Sequence, residues 1–241
     1  MPFSFRRTFK KTATQISILC LIALPLSAVH SAGVQVKPYK AVYASEWDLG
    51  FSLSGEAVRQ LQQIESGWQL SLNASAMVAS LSESSKLRFT PEGVEPQSYR
   101  YQRKVLGKKR RAELDFDWQN SLVSNPISDT PQQMEIPLGT LDKLSYQLQL
   151  RLDLINKRDK LEYQVADGDR LKTYRFIHEG EETVETALGN FQAVKLRRDR
   201  GSDSKRETWI WFAPELNYQL VKLLQTETDG KSYSLVIKAL N

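Results

Sequence analysis

From Tyr39 to the end of the chain, apolar and polar positions alternate with a period of two. Tyr39, Ala41, Tyr43, Ser45 and Trp47 share one parity. Trp68, Leu70, Leu72, Ala74, Ala76 and Val78 do the same, opposite Gln69, Ser71, Asn73 and Ser75. Ala112, Leu114, Phe116 and Trp118 oppose Arg111, Glu113, Asp115 and Asp117. The pattern returns at Leu161, Tyr163 and Val165, at Tyr174 and Phe176, and at Tyr233, Leu235 and Ile237. Side chains of a strand point to alternate faces, so each run predicts a strand with one buried and one wet face. Antiparallel sheets read this way, whereas parallel sheets give continuous apolar runs. Turn signals fall between the runs at Pro91-Glu92-Gly93, Asp167-Gly168, Glu179-Gly180, Leu188-Gly189-Asn190, Arg200-Gly201-Ser202, Ala213-Pro214 and Asp229-Gly230. In the C-terminal third they recur every 9 to 15 residues, the rhythm of a meander of hairpins. The expected fold is mainly β, an antiparallel sheet of about a dozen strands that curls into a barrel, half-barrel or flattened sandwich.

One segment departs from this pattern. Thr140 to Asn156 collects Leu141, Leu144, Leu148, Leu152 and Ile155 at helical spacing. Strict alternation collects Tyr146, Leu148, Leu150, Leu152 and Leu154 equally well, so periodicity does not decide. Composition favours helix, because Leu, Gln, Arg and Lys are good helix formers and Ile155 is the one β-branched residue after Thr140. Thr140 is a candidate cap, Asp142 falls in the first turn and Lys157-Arg158 close the far end. Such a broadly apolar helix is expected to lie buried against the concave face of the sheet.

Residues 1–32 follow a third pattern. Arg6, Arg7, Lys10 and Lys11 precede a 14-residue apolar run, Ile16 to Val29, followed by Ser31 and Ala32. Basic head, apolar core and small residues make up a secretory signal peptide, and the run is shorter than the roughly 20 residues a spanning helix needs. Cleavage is expected after Ala32, with Ser31 the alternative, leaving a single periplasmic domain from 33 to 241 with no transmembrane segment. An uncleaved N-terminal anchor and lipidation at Cys20 are the lesser alternatives.

Removing this segment changes the chemistry left to consider. The whole chain carries a formal charge of +5, but without the four basic residues of the signal 29 basic residues face 28 acidic ones. A near-neutral domain lacks the basic excess of a generic nucleic-acid binder. It also has no cysteine and one histidine, His178, which excludes thiol catalysis, disulfides, zinc–thiolate clusters and multi-histidine metal sites. No cofactor or metal is expected. A Ser-His-Asp triad would have to use His178, and no nucleophile elbow accompanies it. Asp115 and Asp117 project about 7 Å apart from one strand, within the spacing of a glycosidase pair, but on its wet face. Asp167-Gly168-Asp169 lacks the remainder of a calcium loop. Carboxylates of this kind are commonest as caps of turns.

Two basic clusters stand out. Arg103, Lys104, Lys108, Lys109, Arg110 and Arg111 flank Gly107, and Arg197, Arg198, Arg200, Lys205 and Arg206 flank Gly201. Both read as hairpin tips. At one end of the sheet they would form a positive pole for anionic headgroups or an acidic partner; the plainer reading is a solvated edge that resists aggregation. Trp209 and Trp211 share one face of a strand and Ile210 and Phe212 the other, so this strand lies in a core or lines an apolar cavity.

The order of elements adds a resemblance. An export signal and a β-rich half precede Leu141-Asp142-Lys143-Leu144-Ser145-Tyr146. A meander follows, carrying Glu185-Thr186-Ala187-Leu188-Gly189-Asn190-Phe191 and the run Trp209-Ile210-Trp211-Phe212-Ala213-Pro214-Glu215-Leu216. In this the chain resembles the domain of unknown function 3108 family of bacterial envelope proteins, most densely over 140–225. It departs at Lys143, where the family more usually has proline, and at Asn217-Tyr218-Gln219, where a tyrosine-proline step is commoner. The resemblance implies a barrel-like antiparallel periplasmic domain and brings no catalytic residue.

The resulting expectation is a non-enzymatic envelope protein that binds a lipid-like amphipathic component. Trp209, Trp211, Leu144, Leu148 and Leu152 would meet its apolar part between sheet and helix. Lys108, Lys109, Arg110, Arg111, Arg197 and Arg198 would hold its anionic end. The alternatives are a periplasmic hydrolase using a carboxylate pair and a scaffold that pairs an open sheet edge with an envelope protein.

Overall fold

A computed structural model describes residues 1–4, 36–127 and 133–241. The chain divides into Met1–Ala32 and Gly33–Asn241, and the fold belongs to the second unit. Residues 5–32 of the expected export signal, with its cleavage point, lie outside the described residues.

Among the described residues the chain forms fourteen strands, one helix and one short 3-10 turn. The first half supplies β1 (Tyr39–Asp48), β2 (Ser52–Ile64), β3 (Gly67–Ala76), β4 (Ala79–Thr90), β5 (Gly93–Val105), β6 (Lys108–Asp117), β7 (Leu122–Ser124) and β8 (Gln133–Glu135). Helix α1 (Ser145–Ile155) follows. The second half supplies β9 (Glu162–Asp167), β10 (Arg170–Thr186), β11 (Gly189–Asp199), β12 (Glu207–Ala213), the 3-10 turn Pro214–Leu216, β13 (Gln219–Thr226) and β14 (Ser232–Leu240). All fourteen strands form one sheet, in the order β8-β7-β6-β5-β4-β3-β2-β1-β14-β13-β12-β11-β10-β9. Every neighbouring pair is antiparallel, and the two halves join where β1 pairs with β14. Short connections close each meander, and the one long connection, through β8 and α1, carries the chain from one sheet edge to the other.

The sheet curls until its two edges face each other but does not close. Leu141, after β8, forms a parallel bridge to Val165 of β9, with N–H···O distances of 2.8 Å from Leu141 to Gln164 and 2.8 Å from Ala166 to Leu141. Asn125, just after β7, donates to Asp169 in the β9–β10 turn at 2.7 Å. Bulges at Val42/Tyr43, Lys86/Leu87, His178/Glu181 and Trp211/Phe212 sharpen the curl. Gly55 permits a further close approach, since a Cβ there would lie 2.0 Å from the Ser75 carbonyl oxygen on β3.

The parity predicted for the strands holds. Ala41, Tyr43, Trp47, Leu61, Leu70, Leu72, Leu87, Tyr99, Leu114, Leu196, Ile210, Leu223 and Leu235 are buried on the inner face. Two details differ from expectation. The alternation of β3 stops at Ala76, and Met77-Val78 make the turn to β4 without Gly, Pro or Asn to mark it. The helix begins at Ser145 rather than Thr140, because residues before it serve the bridge to β9. Thr140 donates to the Pro137 carbonyl instead of capping. Asp142 does the capping: its Oδ1 accepts the N–H of Leu144 at 2.8 Å and of Ser145 at 2.7 Å, while Ser145 Oγ accepts the N–H of Asp142. At the other end Lys157, with φ +53°, ends the helix in a Schellman arrangement through Arg158 N–H to the Asp153 carbonyl.

Strands on both sides of the curl grip this helix. Arg59 of β2 donates to Gln147 at 2.7 Å, and the Val94 N–H of β5 donates to Gln149 at 2.8 Å. Tyr163 of β9 donates to Asp153 at 2.9 Å, and Tyr146 packs on Tyr174 and Phe176 of β10. Among the described residues no helix is long and apolar enough to cross a membrane.

Candidate functional site

In a sheet of antiparallel neighbours the hairpin turns alternate between two ends. The β1–β2, β3–β4, β5–β6, β9–β10, β11–β12 and β13–β14 turns therefore share one end, here called the upper. Both basic clusters belong to it. Arg103 stands opposite Arg110 and Lys104 opposite Lys109 on the β5–β6 hairpin, while Arg197, Arg198, Arg200, Lys205 and Arg206 surround the β11–β12 turn. Like charges directly opposite each other repel, so local pairing does not account for this arrangement. The same turns present apolar side chains to solvent: Phe51, Met77, Val78 and Leu106, together with Ile127 beyond β7. Met77 is 92% exposed.

The inner wall just below these turns is made by a lateral row. Register aligns Thr208, Gln225, Tyr233 and Trp47 across β12, β13, β14 and β1. Arg198 lies on the same inward face at the β11 end of the row, since its pair Phe176 is an inner residue. The Arg198 guanidinium stacks 3.1 Å from the centroid of Tyr174, and Arg103 reaches to 5.8 Å from the centroid of Trp47. Trp47 and Tyr233 have ring centroids 4.6 Å apart.

Deeper, near the start of the helix, lies a buried polar group of residues. Glu83 accepts from Tyr99, and Asp142 Oδ2 accepts from Ser85 at 2.6 Å. Burial raises the Asp142 carboxyl to about 6, against the hydrogen bonds from Ser85, Ser145 and Leu144 that favour its charged form. Burial also raises Glu83, partly offset by Tyr99 and Lys143. Lys143 lies 3.4 Å from Asp167 and 5.4 Å from the Tyr101 ring centroid. Asp167 is held down at about 2: burial opposes its charge, and Lys143 and Lys172 outweigh it.

The structure separates the residues expected to meet an apolar ligand. Leu144 and Leu148 are 0% and 1% exposed in the inner core, with Leu152 also buried. Trp209 and Trp211 face the other way, because their partners Arg197 and Lys195 point outward on β11. Lys195 lies 4.9 and 5.4 Å from their centroids and Lys222 lies 4.5 Å from that of Trp211. Glu182 joins both lysines at 2.6 and 3.9 Å. The leucines and the tryptophans thus lie on opposite sides of the sheet. The physical reason is strand parity: residues 209 and 211 cannot share a face with Ile210.

The carboxylates take structural roles. Asp115 pairs with Arg100 at 2.7 Å, and Asp117 accepts from the Asn120 side-chain amide and from the N–H groups of Asn120 and Gln119, which hold its carboxyl below the usual range. His178 is exposed. Among the described residues no group of three His, Cys, Asp or Glu side chains gathers as a metal-ligand set. Two surface clefts of about 330 and 450 Å³ are lined mainly by polar side chains, the first by Glu92, Gln149, Asp153 and Lys160, the second by Ser82, Arg100 and Glu113 among others. Sequence reading missed Phe51, Met77, Leu106 and Tyr233 as residues of the upper end; exposed apolar residues in turns leave no periodic signal.

A family model described as a protein of unknown function (DUF3108) matches residues 39–237, from β1 into β14. The chain belongs to the DUF3108 family. No curated protein matches it. This DUF3108 protein is similar to a solved β-barrel-like protein of domain of unknown function DUF1849 from Brucella abortus, with TM-score 0.56 and 12% identity over 85% of this chain and 97% of that one. That likeness concerns the curled fold alone. Looser overlaps are a protein from Parabacteroides distasonis (TM-score 0.33, 12% identity, 86% of this chain and 96% of that one) and one with a YmcC-like fold from Bacteroides fragilis (TM-score 0.31, 11% identity, 86% and 96%).

Proposed function

We propose that this DUF3108 protein is a non-enzymatic periplasmic binder of an anionic, lipid-like envelope component, and that it engages this component with its upper end. The observation that carries the reading is the coincidence of two features there. Five exposed apolar side chains, Phe51, Met77, Val78, Leu106 and Ile127, share this end of the sheet with the basic residues of the β5–β6 and β11–β12 hairpins. Apolar tips flanked by lysine and arginine suit a surface of anionic headgroups, where the charges meet phosphates and the tips enter the acyl boundary. The export pattern of residues 1–32 supports the compartment.

The helix leucines drop out of this role, being fully packed, and Trp209 and Trp211 belong to a separate outer cluster. Strand pairing with a partner has less behind it: edge strand β8 is three residues long, and edge strand β9 is bridged by Leu141. The test is co-sedimentation with vesicles of phosphatidylglycerol and phosphatidylcholine against phosphatidylcholine alone. Binding is expected to the anionic vesicles only, and to be lost on reversing Lys108–Arg111 to glutamate and on the pair Met77→Asp and Leu106→Asp. Equal sedimentation of the variants would overturn the reading.

A further inference from the structure

The upper inner wall holds polar atoms that the protein itself does not satisfy. Among the described residues, seven buried side-chain nitrogen or oxygen atoms lack a hydrogen-bond partner. Five of them lie along this wall: Ser45 Oγ, Trp47 Nε1, Tyr233 OH, Arg198 Nε and Arg200 Nε. The grouping follows from register. Arg198, Tyr233 and Trp47 belong to the lateral row described above, and Ser45 sits two residues before Trp47 on the same face of β1. Arg200 reaches back to the row by donating to Thr208 Oγ1 at 3.1 Å. Trp47 and Ser45 are 2% and 1% exposed, so neither group is simply left to bulk water. A buried polar group without a partner costs on the order of 1–3 kcal/mol, and folded proteins seldom keep several together unless something else completes them.

The atoms share a chemical sense. Arginine Nε and indole Nε1 are donors only, and the two hydroxyls can donate. The site therefore asks for acceptors. The charges agree: among the described residues neither Arg198 nor Arg200 lies within ion-pair distance of a carboxylate, although Arg206 beside them is paired with Glu227. Two inner acids are engaged with other groups, Glu83 with Tyr99 and Asp167 with Lys143, Lys172 and the hydroxyl of Tyr174. Burial, then Arg198 and Arg206, push Arg200 down to about 10, as expected of cations crowded together with no anion between them. From Arg198 on β11 to Trp47 on β1 the row crosses four strand spacings, about 19 Å along the curved wall, too far for one small anion to touch both ends.

We propose that the upper inner wall binds a phosphoryl group that carries further oxygen acceptors, with Arg198 and Arg200 on the phosphoryl and Tyr233, Trp47 and Ser45 on its hydroxyl-bearing extension. This deepens the reading of the upper end as an anionic-lipid surface by giving the headgroup an interior seat. The chemistry belongs equally to a lipid headgroup such as glycerol phosphate and to a free phosphate compound.

The experiment is calorimetric titration of the purified protein, without vesicles, with three probes: inorganic phosphate, glycerol 1-phosphate, and dihexanoyl phosphatidylglycerol below its micelle concentration. One-to-one binding of glycerol 1-phosphate is expected, at least tenfold weaker in Arg198→Gln/Arg200→Gln. The indole N–H resonance of Trp47, identified by its loss in Trp47→Phe, is expected to move with dihexanoyl phosphatidylglycerol, which is long enough to follow the row, and to stay in place with inorganic phosphate. Tyr233→Phe supplies a variant that folds, since it removes a hydroxyl without a protein partner; its melting temperature is expected to stay within about 2 °C while binding of dihexanoyl phosphatidylglycerol weakens threefold or more. Tighter binding of the lipid than of glycerol 1-phosphate assigns the site to a headgroup, and equal binding assigns it to a soluble phosphate compound. Titrations flat for all three probes, or affinities the arginine variants do not change, mean that water completes the row and the proposal is wrong. Because no vesicle is present, that result leaves the sedimentation test standing, and failed sedimentation leaves this one standing.

Discussion

The lower and upper parts of one inner wall follow opposite rules. Below, the helix fills the curl, and the polar groups it buries find protein partners. Arg59 reaches Gln147, Tyr43 donates to the Leu220 carbonyl at 2.9 Å, and Tyr163 donates to Asp153. Above, the same strands continue inward-facing residues of the same parity, yet five buried polar atoms have no protein partner. Length explains the difference. An eleven-residue helix is about 16 Å long, whereas the ten residues of β1 span about 33 Å, so one helix can plug only part of such a wall. The packed part stabilises the fold, and the proposed binding role falls to the part beyond the helix. Stability and binding are thus expected to respond to different substitutions on one face of one sheet.

The sharpest way to break this contrast is a deletion in the packed half. Leu148→Ala, at a residue with almost no exposure and neighbours on the surrounding sheet, is expected to lower the unfolding free energy by about 2–5 kcal/mol in urea denaturation. If it changed stability no more than Tyr233→Phe does, the lower interior would not be the core described.

A second test lies at the boundary between the halves. Asp142 caps the helix while its carboxyl is raised to about 6 from 3.8. The folded state therefore keeps a proton that the unfolded state releases. The stabilisation this brings is present at low pH and lost as pH rises through about 6. Asp142→Asn keeps an oxygen for the N–H groups of Leu144 and Ser145 without the charge. Its stability relative to the native protein is expected to improve by roughly 2–3 kcal/mol between pH 4 and pH 7. A pH-independent difference between the two would show that the carboxyl titrates normally.

The smallest effect belongs to the outer face. Lys195→Ala removes contacts to Trp209, Trp211 and Glu182 from a half-exposed position and is expected to cost about 0.5–1 kcal/mol, with no change in vesicle or phosphate binding. Altered binding in this variant would draw the outer tryptophans into the site.

Period-two alternation was enough to establish an antiparallel, curled, mainly β domain. The Leu-rich segment after Thr140 was legible as its helix because composition broke a tie that spacing left open. The two basic hairpin tips were visible as clusters of arginine and lysine. These features are local: each depends on a residue and on neighbours a few positions away, and backbone geometry translates such spacing directly into faces and turns. The turn at Met77-Val78 escaped because it contains none of the residues that mark turns, and the helix start moved by five residues because Leu141 pairs with a strand that follows it in the chain.

Which residues meet across the sheet was decided by tertiary structure alone. The strand order brings β1 beside β14, and only then does Trp47 lie against Tyr233 and the β5–β6 tip share an end with the β11–β12 tip. Trp209 and Trp211 looked like partners of the helix leucines, and the direction of curl put them on the opposite side. Sequence records the parity of a strand but not which face closes inward, because that choice is made by the packing of all fourteen strands around one helix. The amino-acid sequence thus determined the material of the wall, and the fold determined which part of it the helix leaves uncovered.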